Sequence, residues 1–193
     1  FNVNDYYCLI NDPRQNHPYH QLYTVKYLGN VVEGFKVRYL NLPVERLKEL
    51  TQKSIVDNSP VWFGCDVGKE HLKSSCVMDL NLLAYKSPLN IDFKLSKSER
   101  LEYKQSLMTH AMVYVGYNTD QYGSVNYWKI ENSWGTNGPF AGNLICSNNW
   151  FKHYTYQLII PRKYINQAEL AVWDGNITRS FPIWDPMGSL AKL

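Results

Sequence analysis

Thr109-His110-Ala111-Met112-Val113-Tyr114-Val115-Gly116, a polar turn, and then Tyr127-Trp128-Lys129-Ile130-Glu131-Asn132-Ser133-Trp134-Gly135 form the stretch on which the chain is read. Between the two apolar runs stand Asn118, Thr119, Asp120, Tyr122, Gly123 and Ser124. These are mostly turn-forming types, tolerating positive φ or bonding their own backbone. The pattern predicts a hairpin. Its midpoint, residue 121, makes His110 and Asn132 facing neighbours, because residues equally far from an antiparallel turn stand opposite each other. Period-2 alternation puts Trp128, Ile130 and Asn132 on one buried side, and Lys129 and Glu131 in solvent.

An amide that ends an apolar row needs a hydrogen-bond partner, and the imidazole of His110 supplies one. An asparagine oxygen accepting one ring N–H fixes tautomer and orientation and leaves the other nitrogen to face a nucleophile. A lone histidine in a hairpin is first of all a satisfied structural residue. A second polar residue at matching register, followed by Trp134 to keep water off the pair, turns the reading toward catalysis.

Thr109-His110-Ala111 and Glu131-Asn132-Ser133-Trp134-Gly135 resemble the histidine and asparagine motifs of papain-like cysteine peptidases. The runs Leu107-Met-Thr-His-Ala-Met112 and Trp184-Asp-Pro-Met-Gly-Ser-Leu-Ala191 are similar to the bleomycin hydrolase family within that group. So are Cys8-Leu-Ile-Asn-Asp-Pro-Arg14, Tyr27-Leu-Gly-Asn-Val-Val32 and Pro60-Val-Trp-Phe-Gly-Cys-Asp-Val-Gly68. The resemblance implies an α+β papain-like fold, here the barrel-like antiparallel half-domain with flanking helices and a C-terminal arm. It implies a cytoplasmic cysteine-type aminopeptidase acting on peptides with a free N-terminus and assembled as a homo-oligomer, a hexamer. His110 would be the base, Asn132 its orienter and Trp134 their shield. The arm ending Ala191-Lys192-Leu193 would run to the cleft and hold the substrate's amino group.

One departure stands out. The family's nucleophile lies in a Gln…Gly-x-Cys-Trp element, and none of Cys8, Cys65, Cys76 and Cys146 is followed by Trp. The chain is therefore expected to be the carboxy-terminal portion of a longer protein, with base and orienter but without nucleophile or oxyanion-hole glutamine, and inactive alone. Cys65 sits in an apolar run, where a thiol is core filler more often than nucleophile.

The 193 residues, 45% hydrophobic and 15% aromatic, suffice for a real core. The net charge of +3 comes from 20 basic residues scattered among 17 acidic ones, leaving no footprint for nucleic acid. Such binding would need clustering in an assembly. Four unpaired cysteines argue for free thiols rather than a disulfide scaffold or zinc site, and no apolar run approaches the roughly 20 residues of a membrane span. No metal or cofactor is expected. His17-Pro-Tyr-His20 reads as a surface loop, since the proline spoils ligand spacing.

Three segments are expected. Residues 1–59 hold loops, short strands and a helix opened by Pro43 with Val44, Leu47, Leu50 and Ile55 on one stripe. One or two strands are predicted over 27–42. Residues 60–167 form the half-domain, with a surface excursion from Gly68 in which His71 is exposed. There Ser96 and Glu99 make a capping box for a helix reaching about Leu107. After the hairpin come strands at 143–146 and 154–160, with Trp150-Phe151 as core packing. Residues 168–193 read as the arm, too irregular for another core element. The rival reading is a non-catalytic papain-like fragment kept for binding or assembly.

Overall fold

The computed structural model describes residues 2–29, 31–82, 90 and 95–188. Among them the strands β1 (Tyr6–Ile10), β2 (Gln21–Val25), β3 (Tyr39–Asn41), β4 (Val61–Cys65), β5 (His71–Leu72), β6 (Val77–Met78), β7 (His110–Thr119), β8 (Val125–Glu131), β9 (Asn143–Ser147), β10 (Thr155–Pro161) and β11 (Arg179–Phe181) join one sheet. Its order is β11-β2-β3-β1-β10-β4-β7-β8-β9-β6-β5. The central run from β1 to β9 is antiparallel, and parallel pairs occur at β1/β3, β6/β9 and β11/β2. Strands from all three expected segments thus share backbone hydrogen bonds.

The strand β7 lies between β4 and β8 with its inward row on the core. Tyr114 stacks on Phe63 at 3.7 Å between ring centroids and touches Phe151 at 5.2 Å, which in turn stacks on Trp128 at 4.8 Å. All four rings are fully buried. Each such ring removes about 150–250 Å² from water, so the cluster is a large part of what keeps the His110 strand in place. The helix α1 (Val44–Val56) lays Leu47 and Leu50 on this core, as its stripe predicts.

Three expectations need correction. Over 27–42 the described residues hold one strand, within the number expected but confined to the three residues of β3, because Tyr27 turns left-handed at φ 57 and Gly34 closes a turn onto the Val31 carbonyl at 3.0 Å. The helix α2 (Lys97–Glu102) has the predicted Ser96/Glu99 capping box but stops before Leu107. Lys104 turns left-handed at φ 55, and the amides of Gln105 and Ser106 fold back onto the Arg100 carbonyl. Third, the segment from 168 does contribute to the core. The helix α4 (Gln167–Trp173) is capped by Asn166 and Glu169, and in β11 Phe181 stacks on Tyr23 at 4.9 Å. A further helix, α3 (Asn148–Tyr154), capped by the Ser147 hydroxyl, buries Trp150 and Phe151. The aromatic pair was legible as core, but its helical turns were not.

Candidate active site

His110 opens β7 and pairs in register with Cys65. The chain just before it is tied down. Asp66, buried at 4% exposure, accepts hydrogen bonds from the Ser106 hydroxyl (2.8 Å), the Leu107 amide (3.4 Å) and the Thr109 hydroxyl (3.3 Å). The Tyr156 hydroxyl donates to Ser106 at 2.6 Å, and the Thr109 amide donates to the Cys65 carbonyl at 2.8 Å. A carboxylate collecting three donors fixes the backbone that leads into the imidazole.

Asn132 follows the last residue of β8. Val113 faces Glu131, so Met112, not His110, continues the register opposite Asn132. The exact facing pair expected from the midpoint is off by two positions, because the turn is centred on Tyr122, with Thr119 facing Val125, while the bulges at Val115 and Asn126, one on each strand, cancel. A two-residue slip preserves the face, leaving the two side chains as diagonal neighbours within reach of each other. His110 Nε2 lies 3.0 Å from Asn132 Oδ1. That oxygen also accepts the Ser133 amide at 2.9 Å, which makes it the acceptor and the imidazole nitrogen the donor. The Nδ1 atom is the one left over. Trp134 stacks on His110 at 5.0 Å between centroids and 30° between planes, while keeping about half its surface exposed at 51%.

His71, expected to be exposed, is half-buried and stacks on Trp134 at 6.1 Å. Its short strand β5 turns back along β6, which pairs with β9, so tertiary pairing draws the ring inward. Burial pushes its imidazolium below the usual histidine range; the Val67 carbonyl opposes this and Lys73 adds to it. The signal in Gly68-Lys-Glu-His71 was polarity, which says nothing about the pairing through β6 to β9, some 70 residues on, that brings it into the sheet. The Asp66 cluster was also missed. Its trace in the sequence is a carboxylate ending the apolar run at 61–65 and two hydroxyl residues just ahead of a histidine.

The four thiols are placed as follows. Burial pushes Cys8 up to about 12, despite the Gln157 amide donating to its sulfur at 2.8 Å. Burial likewise holds Cys65 and Cys146 far above the usual thiol range. Cys76 lies in a cavity wall on the Asn132 side of the imidazole, with its sulfur 3.6 Å from the Lys73 carbonyl. Among the described residues no thiol is hydrogen-bonded to His110. His17 Nδ1 is 2.8 Å from Asp12 Oδ2, and His20 is exposed in the adjoining turn. Ala191, Lys192 and Leu193 lie outside the described residues.

An imidazole held by an asparagine oxygen and stacked by a tryptophan can serve as an oriented base. Residues 1–188 match the profile of the Peptidase C1-like family. The chain belongs to the Peptidase C1-like family. This Peptidase C1-like chain is 42% identical over 195 residues to the Bleomycin hydrolase of Homo sapiens, covering 100% of this chain and 43% of that protein. It is 41% identical over 189 residues to the Aminopeptidase C of Lactococcus lactis subsp. cremoris, covering 98% of this chain and 43% of that one. The crystal structure of PepW from Lactobacillus rhamnosis superposes with a TM-score of 0.93 at 39% identity, over 98% of this chain and 43% of that one. The chain thus spans less than half the length of these relatives. The papain-like α+β fold and the family resemblance read from the two motifs are both borne out.

Proposed function

We propose that this chain supplies the base and the orienting amide of a cysteine-type aminopeptidase whose nucleophile lies outside these 193 residues. The observation that carries the reading is the 3.0 Å contact between His110 Nε2 and Asn132 Oδ1, which leaves Nδ1 as the proton-transfer atom.

In this reading a thiolate paired with protonated His110 attacks the substrate carbonyl, and His110 Nδ1–H then protonates the departing amine to leave a thioester. His110 next takes a proton from water, which attacks the thioester and regenerates the pair. Asn132 keeps the ring in one tautomer throughout, and Trp134 covers their contact. Substrates are peptides with a free N-terminus, held by the arm that ends Ala191-Lys192-Leu193. The working form is a cytoplasmic homo-oligomer, a hexamer, and the three segments 1–59, 60–167 and 168–193 serve as lead-in, catalytic half-domain and arm. The relatives named Bleomycin hydrolase and Aminopeptidase C support this reading.

The test is a full-length protein in which these residues are preceded by a segment bearing a Gln…Gly-x-Cys-Trp element. It should release N-terminal residues, and His110→Ala should lower kcat/KM by on the order of 10³-fold or more. Near wild-type turnover in that variant rejects the assignment. Serine or glycine in place of the expected cysteine would favour the non-catalytic binding module.

A further inference from the structure

A cavity of about 240 Å³ opens beside the histidine–asparagine pair, with Asn132, Trp134, His71, Lys73, Asn137 and Asn143 in its wall. At roughly 30 Å³ per water it holds one side chain rather than a length of peptide. Its floor is a loop that only glycine can close. Gly142 sits at φ +87, and a Cβ there would meet the Gly135 carbonyl oxygen at 2.4 Å.

The chemistry of the wall has one sign. Its only ionic side chain is Lys73, which is exposed and has no ion-pair partner among the described residues, and no carboxylate lines the cavity. The remaining polar groups include a donor without an acceptor. Asn132 spends its oxygen on His110 and Ser133, and its buried Nδ2 makes no hydrogen bond. A donor desolvated without an acceptor is unfavourable, and an acceptor-only anion that also meets a lysine relieves that.

Resting on the aminopeptidase reading above, we propose that this cavity receives a carboxylate on the leaving side of the substrate and that Lys73 is its specificity-determining residue. The side follows from the chemistry. The acyl part stays on sulfur, whereas the departing amine takes its proton from His110, so the released portion leaves along the residues that flank the imidazole. Asn132 and Trp134 flank it, and both line the cavity. The carboxylate comes either from an acidic side chain just after the cleaved bond or from the free carboxyl terminus of a dipeptide.

Full-length enzyme is assayed on four substrates with one common N-terminal residue, followed by Glu-amide, Gln-amide, Ala free acid or Ala-amide. The expected result is a kcat/KM ratio of about tenfold for Glu-amide over Gln-amide, for Ala free acid over Ala-amide, or for both, the pattern assigning the source of the carboxylate. Lys73→Ala brings each ratio close to one, and Lys73→Glu inverts it, with circular dichroism confirming the fold. Wild-type ratios near one, or ratios unchanged in Lys73→Ala, overturn the inference. If wild-type enzyme cleaves none of the four, the aminopeptidase reading fails and the cavity is read by binding instead. Calorimetric titration with N-acetyl-Glu-amide and N-acetyl-Gln-amide then decides, and equal affinities overturn the inference.

Discussion

Arg14 and Asp185, 171 positions apart in the chain, meet through two hydrogen bonds of 3.0 and 2.8 Å while the same guanidinium grips Asp12 at 2.9 and 2.7 Å. All three side chains are buried. The contact pins the segment after β11 to the turn that follows β1, and it is followed at once by Met187, buried with Leu101 and Tyr156 in a cluster that Met108 also touches. Arg14→Ala removes the guanidinium from two buried carboxylates, leaving Asp12 with His17 alone, and should cost about 3–5 kcal/mol in urea unfolding. A loss below 1 kcal/mol would show that the tie contributes nothing.

The same cluster sets an acid limit. Burial pushes the Asp12 carboxyl up, but hydrogen bonds from His17 and Arg14 together outweigh it and hold it below the usual range. A group depressed in the folded state stabilises above its unfolded value of about 3.9, and that contribution drains away as pH falls through the lower folded value. Asp12→Asn should therefore lose stability at pH 7 and show a shallower decline below pH 4, measured as unfolding midpoints across pH. An unchanged acid limb would contradict the assignment.

Asp66 should matter to both fold and rate. Asp66→Asn keeps the shape but replaces one acceptor oxygen by a donor facing the Ser106 or Thr109 hydroxyl, at a cost of about 1–3 kcal/mol. Since those residues lead directly into His110, displacement of the ring should lower kcat of the full-length enzyme by about 10²-fold, with KM less affected. Restored kcat in Asp66→Glu, or equal loss of kcat and KM in Asp66→Asn, would separate positioning from general damage.

Asn132→Ala should leave His110 free to rotate. A loss of about 10²-fold in kcat is expected, with a smaller loss for Trp134→Phe, which keeps an aromatic face near the 5.0 Å stack. Equal rates in wild type and Asn132→Ala would mean that the 3.0 Å contact orients nothing.

Lys97 gives a pH response in the same direction over a higher range. Its ammonium, fully enclosed, bonds the Asn11 side-chain oxygen at 2.7 Å and the Thr155 carbonyl at 2.5 Å. Burial, partly offset by Asp12 and reinforced by Arg100, lowers it to about 7. Between about 7 and the unfolded value near 10.4 the unfolded chain binds the extra proton, so this residue makes folding more favourable as pH rises. The buried thiols of Cys8, Cys65 and Cys146 act the other way above about 8.5, where unfolded cysteine ionises. The difference in stability between wild type and Lys97→Met isolates the lysine: it should shift in favour of wild type from pH 7 to 8.5. A flat difference would refute the depressed value.

What could be read from the chain alone was whatever repeats over short range. The alternation in 127–132 put Trp128 and Ile130 inside and Lys129 and Glu131 outside, as found. The Ser96/Glu99 box and the Leu47/Leu50 stripe name their own hydrogen bonds and faces. Even the slip of the hairpin was harmless, because a shift of two residues returns every side chain to its face. The partners that carry Asp66, His71 and Arg14 leave no such trace, since each is set by strands far apart in sequence that happen to lie side by side in one sheet.

The sequence by itself determined the residue types and the face on which a base and its amide stand, because backbone periodicity is a local property of covalent geometry. Only the tertiary structure decided which oxygen holds which ring nitrogen, which carboxylate steadies the approach to His110, and that a lysine and a half-buried histidine share a cavity with Asn132. Those depend on distances across the sheet, which packing sets and local pattern does not contain.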